Sequence, residues 1–319
     1  MSEYGEIGGF IEIERSNGTE YYPELVAVNS ARNALKYIIE AKKIRKLYIP
    51  CLLCGCVLQT CISCGCGYEL YNVDMSFRPL LDKQPGVDEY VYIVNYYGQI
   101  DNCELLSLKD RYGRVIFDNV QAFFQPPVNG IDTVYSCRKF FGVPDGGYAA
   151  TDAMIDGQLE EDRSAGRMEH LLGRFECTAS EYYSCFLKSE EEFDTMELRS
   201  MSPLTHNMLR AVDYGYVQQK RTRNFSYVAS RLGRLNGLNI VSPTGAYCYP
   251  FLATGGQEIR KRMAAEKIYI PTLWRDALEL SAVSDDERRL ATDVLPLPCD
   301  QRYGCGELER MCSLLLECI

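Results

Sequence analysis

Residues Val134 to Ala149 read VYSCRKFFGVPDGGYA. The stretch parses as a short strand of alternating character, a sharply turning loop that carries one lysine, and a Gly-Gly pair that opens a second apolar run. Gly146 and Gly147 mark backbone that must take a positive φ or pass where any Cβ would clash. Lys139 lies beside Arg138 and ahead of Phe140 and Phe141. A neighbouring cation and apolar packing are the surroundings that free a lysine amine for Schiff-base chemistry. The same window also reads as a surface Arg-Lys pair beside a hairpin.

Just upstream, Arg114 to Phe123 reads RVIFDNVQAF, a buried-strand pattern ending in Asp118 with Gln121 three residues on. The two windows together resemble the DegT/StrS-type aminotransferases, fold-type-I enzymes that use pyridoxal 5′-phosphate (PLP) and often act on nucleotide-linked sugars. In that family a strand ends in Asp with Gln or His three residues on, a Ser-containing strand leads to the PLP-binding Lys, and a Gly-Gly pair begins seven residues after it. Lys139 and Gly146 keep that spacing. The resemblance implies that Asp118 holds the ring nitrogen, Gln121 the phenolic oxygen and Ser136 the phosphate, and that Lys139 is the covalent anchor and proton carrier.

Outward from this centre, strands and helices alternate, which argues for a mostly parallel sheet covered by helices on both faces. A short strand-like run opens the chain, and a strand over Leu25–Val28 leads through Asn29-Ser30-Ala31 into a helix beginning near Arg32. A helix N-terminus just after a strand is a natural anion site. By resemblance the backbone of Ala31 and Arg32 takes the PLP phosphate, where relatives carry Gly-Thr; Ser30 also reads as an ordinary N-cap. The aromatic that the family places over the cofactor ring corresponds to Cys54, and Tyr97, beside Gly98, is a candidate contact for ring or substrate. In RTRNF, Asn224 matches an Asn that reaches the phosphate of the partner subunit, so the resemblance implies a homodimer with Asn224 acting in trans. Trp274, after IYIPTL, is a candidate at the substrate entrance; a structural tryptophan reads equally well.

The expected architecture is the α/β fold of fold type I, with a large domain over residues 1–198 built on a seven-stranded-type sheet. Residues 199–319 supply a helical connection and a small C-terminal α/β domain. The family implies transfer of an amino group from glutamate or glutamine to a keto acceptor, plausibly a nucleotide-linked keto-sugar. A silent PLP-fold binding protein remains an alternative, because the Gly-Thr and aromatic positions are changed.

The chain has 319 residues and a net charge of −10. Nothing broadly basic is present to neutralise nucleic acid, no apolar run reaches the length of a bilayer span, and the acidic start MSEYGEIGGF is unlike a signal peptide. A cytoplasmic protein is expected. Fifteen cysteines include a tandem C-x-x-C-x-C at Cys51, Cys54, Cys56 and Cys61, Cys64, Cys66, a spacing that suits zinc or an iron–sulfur cluster. The same segment also parses as a helix with Cys54, Leu58, Cys61 and Ile62 on one inward face, where thiols act as small apolar side chains. Packed free thiols and no metal are the expectation. His170 and His206, the two histidines, offer little material for a histidine-based mechanism.

Overall fold

The computed structural model describes residues 7–319. Eight strands, β1 (Val26–Val28), β2 (Lys46–Pro50), β3 (Gly67–Val73), β4 (Pro79–Leu80), β5 (Glu89–Val94), β6 (Val115–Asp118), β7 (Asp132–Ser136) and β8 (Gly147–Ala150), form one sheet in the order β1-β8-β7-β6-β5-β2-β3-β4. The apolar run YVYIV forms β5 near the middle of this sheet, as burial on both faces requires. The joined pairs among β3, β2, β5, β6 and β7 are all parallel. β8 runs against both of its neighbours, β7 and β1. The expected seven-stranded arrangement is therefore present, and β4 is a two-residue antiparallel addition at its edge.

Helices α1 (Ala31–Lys42), α2 (Gly55–Ser63) and α3 (Asn102–Tyr112) return the chain between strands. Ser30 caps α1 by accepting from Asn33 N at 3.1 Å, and Asp101 caps α3 by accepting from Glu104 N at 2.8 Å, each satisfying a first-turn donor that has no intrahelical partner. The acidic middle of the chain forms α4 (Glu169–Glu176) and α5 (Tyr183–Glu192), followed by α6 (Pro203–Arg210) and the long α7 (Tyr214–Leu232). Strand β9 (Cys248–Leu252), α8 (Gly256–Ala265), α9 (Asp285–Asp293), β10 (Val294–Pro298) and α10 (Cys305–Leu316) complete the chain, with β9 and β10 paired antiparallel.

Phe225, Val228 and Leu232 of α7 pack with Tyr249, Phe251, Leu295, Leu297 and Leu315 into a core of their own. Val217, at the other end of α7, packs with Phe123, Tyr135, Phe140 and Tyr148 beside the main sheet. One helix thus belongs to both cores.

Three local expectations give way. Residues 7–20 contain no strand. Neither does the IYIPTLW stretch: Pro271 has no N–H to give a ladder, and Trp274 turns through φ 54°. In α2 the inward residues are Val57, Thr60 and Cys61, whereas Cys54 is exposed and Ile62 is 58% exposed, because the helix starts at Gly55 and leaves Cys54 outside as its N-cap.

Candidate active site

The parallel strands deliver their C-terminal ends to one edge of the sheet, where open α/β sheets hold ligands. The residues that follow those ends are Ser30 after β1, Cys54 after β2, Tyr97 after β5, Gln121 after β6 and Lys139 after β7. Register fixes their neighbours. Gly147 pairs with Val28 on one side and Ser136 on the other, so the start of α1 and the Ser136 side chain flank one glycine. A Cβ at Gly147 would stand 2.5 Å from Ser30 C and 2.6 Å from Ala31 N. Only glycine lets the backbone pass so close to the open end of α1. Gly146 precedes it at φ 113° and donates its N–H to Asn29 O at 2.9 Å. The turn is held from behind by Asp145, a fully buried carboxylate that accepts from Ser202 N and Ser202 Oγ, both at 3.0 Å, and from Thr205 Oγ1.

Asp118 closes β6 and is buried. Its Oδ2 accepts from the Tyr92 hydroxyl at 2.7 Å and its Oδ1 from Val120 N at 2.9 Å. Burial pushes the carboxyl above its ordinary range; the Lys139 ammonium, the Tyr92 hydroxyl and the Val120 N–H pull it part of the way back. A carboxylate whose desolvation is incompletely offset by its own protein is stabilised by a further cation.

Gln121 is buried, and its Oε1 accepts from Tyr97 N at 2.8 Å. That bond fixes which end of the amide is which, leaving the NH2 as the end free to donate. Tyr97 is itself buried and held at φ 56°, a left-handed conformation uncommon for a bulky residue. Its ring and that of Tyr96 meet the edge of Trp274 at 5.5 and 5.1 Å. Trp274 therefore braces the Tyr96-Tyr97 turn, and the neighbouring Asp276 carboxylate accepts from Gly55 N at 2.8 Å at the start of α2.

Lys139 is exposed and forms no hydrogen bond to protein among the described residues. Its Nζ stands 5.9 Å from the centre of the Tyr247 ring, and its charge acts on Asp118, Cys54 and Cys248. The Lys139 charge is thus near enough to act on Asp118. Cys54 shares a proton with Cys56, and that interaction, more than the nearby Lys139 charge, lowers its thiol to about 6. The same contact with Cys54, followed by burial, pushes the half-buried Cys56 thiol the other way.

Two of the assigned residues have their side chains engaged within the chain. Asn224 is buried in α7 and both donors of its amide are engaged within the chain, with Asp300 O at 2.9 Å and Tyr303 O at 3.1 Å. Arg32 sends its guanidinium to Phe193 O and, at 3.0 Å, to Asp194 Oδ1, so only its backbone N–H, with that of Ala31, is placed at the open end of α1. Among the described residues no group of three or more His, Cys, Asp or Glu side chains is arranged to hold a metal, and no helix is long and apolar enough to cross a membrane.

PLP fits this edge. An anion seat at α1 and Gly147, a buried acid in need of a cation, a free amide donor and an unbonded amine correspond to the cofactor's phosphate, ring nitrogen, phenolic oxygen and aldehyde. Tyr92, Tyr247 and Asp145 join the site without having been singled out in the sequence. Alternation within YVYIV places Tyr92 two residues from Val94, which pairs with Asp118, the one local signal that could have found it.

No family model matches the chain, and no curated protein matches it. Solved structures do. A DegT/DnrJ/EryC1/StrS aminotransferase from Brucella abortus is similar over 92% of this chain and 85% of its own, with TM-score 0.62 and 12% identity. S. venezuelae DesV, solved with a ketimine intermediate, is similar over 92% and 84%, with TM-score 0.63 and 17% identity. The sugar aminotransferase CalS13 from Micromonospora echinospora is similar over 92% and 87%, with TM-score 0.65 and 12% identity. The chain has the fold of these aminotransferases, fold type I of the PLP-dependent enzymes.

Proposed function

We propose that the protein is a PLP-dependent aminotransferase acting on a sugar, moving an amino group from glutamate or glutamine to a keto acceptor such as a nucleotide-linked keto-sugar. The observation that carries this reading is the convergence of Asp118, Gln121, Lys139 and the Gly147 cradle at one sheet edge. The similar structures include sugar aminotransferases, which supports the sugar as substrate class.

When bound, the cofactor supplies the electron sink for the reacting carbon. The protein's own groups do the rest. Asp118, whose charged form Lys139, Tyr92 and Val120 favour against burial, would hold a proton on the ring nitrogen; Gln121 would donate to the phenolic oxygen. The first-turn N–H groups of Ala31 and Arg32, with Ser30 and Ser136, take the phosphate. Lys139 would be the residue that holds the cofactor's aldehyde end, and its amine would carry a proton on and off the substrate carbon. Tyr97 and Trp274 wall the side from which substrate enters. Cys54 would border the ring, at the position where the resembled family carries an aromatic.

We further place the protein in the cytoplasm as a homodimer, with a large unit over residues 1–198 and a connection and small unit over residues 199–319. A second reading, a binding protein that holds PLP without turnover, is favoured by Cys54 at the ring position and by the committed amide of Asn224. Purified protein incubated with PLP should develop a yellow band that borohydride fixes to Lys139 and that Lys139→Ala lacks; a colourless wild type overturns the proposal. Added glutamate should bleach the band in an aminotransferase and leave it in a silent binder.

A further inference from the structure

Arg221 is a buried cation whose hydrogen bonds all go to neutral groups. From α7 its Nε donates to Gln301 Oε1 at 2.7 Å, its Nη1 to Ala246 O at 2.9 Å and Tyr247 O at 3.3 Å, and its Nη2 to Phe140 O at 3.1 Å. The nearest carboxylate, Asp300, is bonded to Arg302 instead. Burial lowers the guanidinium's pKa, with Asp300 opposing from a distance. A buried charge of this kind is costly, and packing alone would be served as well by an apolar side chain. Its place in the fold therefore calls for another reason.

That reason lies in what the fork holds. Phe140 directly follows Lys139, and its carbonyl takes a second donor, Gln301 Nε2, at 2.9 Å. Gln301 is in turn fixed by Arg221 and by Asn224, which sits one turn along α7 and grips the carbonyls of Asp300 and Tyr303. The other end of the lysine loop is tied to the sheet, since Phe140 N and Phe141 N donate to Cys137 O at 3.0 and 2.9 Å and Cys137 N donates to Gly146 O. Tyr247, whose carbonyl also meets the fork, supplies the ring beneath the Lys139 amine.

We infer that Arg221, seconded by Gln301, is the positioning residue for Lys139: it locks the peptide after the lysine and the ring under its amine into one rigid unit, so that α7 and the C-terminal core set where the amine points. This rests on the proposed role of Lys139.

The test compares two cofactor forms that differ only in whether they bond to the lysine. PLP attaches to Lys139 as its amine adds to the aldehyde carbon and the aldehyde oxygen leaves as water, whereas pyridoxamine 5′-phosphate has no aldehyde and only occupies the seat. In Arg221→Lys, which keeps the charge and loses the planar fork, covalent attachment of PLP should slow at least about tenfold while the Kd for pyridoxamine 5′-phosphate changes less than about twofold. Gln301→Ala, a milder change, should show the same split at about threefold. Equal losses for both forms, or no loss for either, overturn the inference. If the wild type attaches no PLP, the reading of Lys139 fails separately, and hydrogen exchange decides: amides of residues 138–142 exchanging faster in Gln301→Ala, with those of β6 unchanged, support the lock, and unchanged exchange refutes it.

Discussion

The hydroxyl of Tyr92 donates to Oδ2 of Asp118 across 2.7 Å, from β5 to the neighbouring β6. Both residues are buried, and neither touches the lysine loop by hydrogen bond. After the Lys139 charge, the tyrosine is the main group that favours the ionised acid against burial. Removing the hydroxyl in Tyr92→Phe leaves a buried acceptor unpaired, at about 1–3 kcal/mol, and moves Asp118 further toward its neutral form. PLP affinity should fall by about tenfold, since 1.4 kcal/mol is a factor of ten. Spectroscopic titration of PLP binding checks this; unchanged affinity would show that the acid does not depend on Tyr92.

Gly147→Ala should be the most damaging single methyl at the site. Its Cβ would meet backbone atoms of Ser30 and Ala31 at 2.5–2.7 Å, and neither can yield without shifting the start of α1. We expect a loss of stability of about 1–3 kcal/mol, seen in a denaturant titration, and loss of binding of inorganic phosphate and PLP together. Gly142→Ala, where nothing lies within 4 Å of the added methyl, serves as the control.

Cys54 should be alkylated well before the buried thiols. Its thiol is lowered to about 6, while burial lifts Cys51 to about 11; since the thiolate is the reactive form, labelling of Cys54 by iodoacetamide should rise through pH 6 and level off above pH 7. Bound PLP should slow it. Mass mapping of labelled peptides decides; equal labelling of Cys51 at pH 7 would contradict the geometry.

Glu287 should anchor α9 to the sheet. Fully buried in α9, its carboxylate accepts from Val73 N at 3.0 Å, Asn72 Nδ2 at 2.6 Å, and Ser284 N and Oγ at 3.0 and 2.9 Å. Glu287→Ala strands several neutral donors at the junction and should cost about 1–3 kcal/mol, measured by denaturant unfolding. A change below 1 kcal/mol would mean that water or a neighbouring group replaces the carboxylate.

Much of this was readable because the site's centre is local in sequence. Asp118 to Gln121 and Lys139 to Gly147 are short spacings on consecutive strands, and a sheet turns such spacings into neighbours at one edge. What escaped reading depends on residues far apart. Nothing in RTRNF says that loop 300–303 lies opposite Asn224, so the bonds from its amide to Asp300 O and Tyr303 O were not legible in the pattern. Arg221, three residues earlier in the same stretch, holds the lysine loop from 81 positions away. Cys54 and Ile62 were read inward from helical spacing alone, which cannot tell where the helix begins.

The reversed strand β8 carries a consequence for how the molecule comes into being. β1 has no neighbour in the sheet except β8, so the first strand made cannot dock until residue 150 has left the ribosome. Until then the turn at Ser30 has no glycine to lie against, and the anion seat does not exist in a nascent chain. Pairings of such wide separation are slow to form, which makes inorganic phosphate or PLP, present during refolding, a ligand that should speed the last step and not the first.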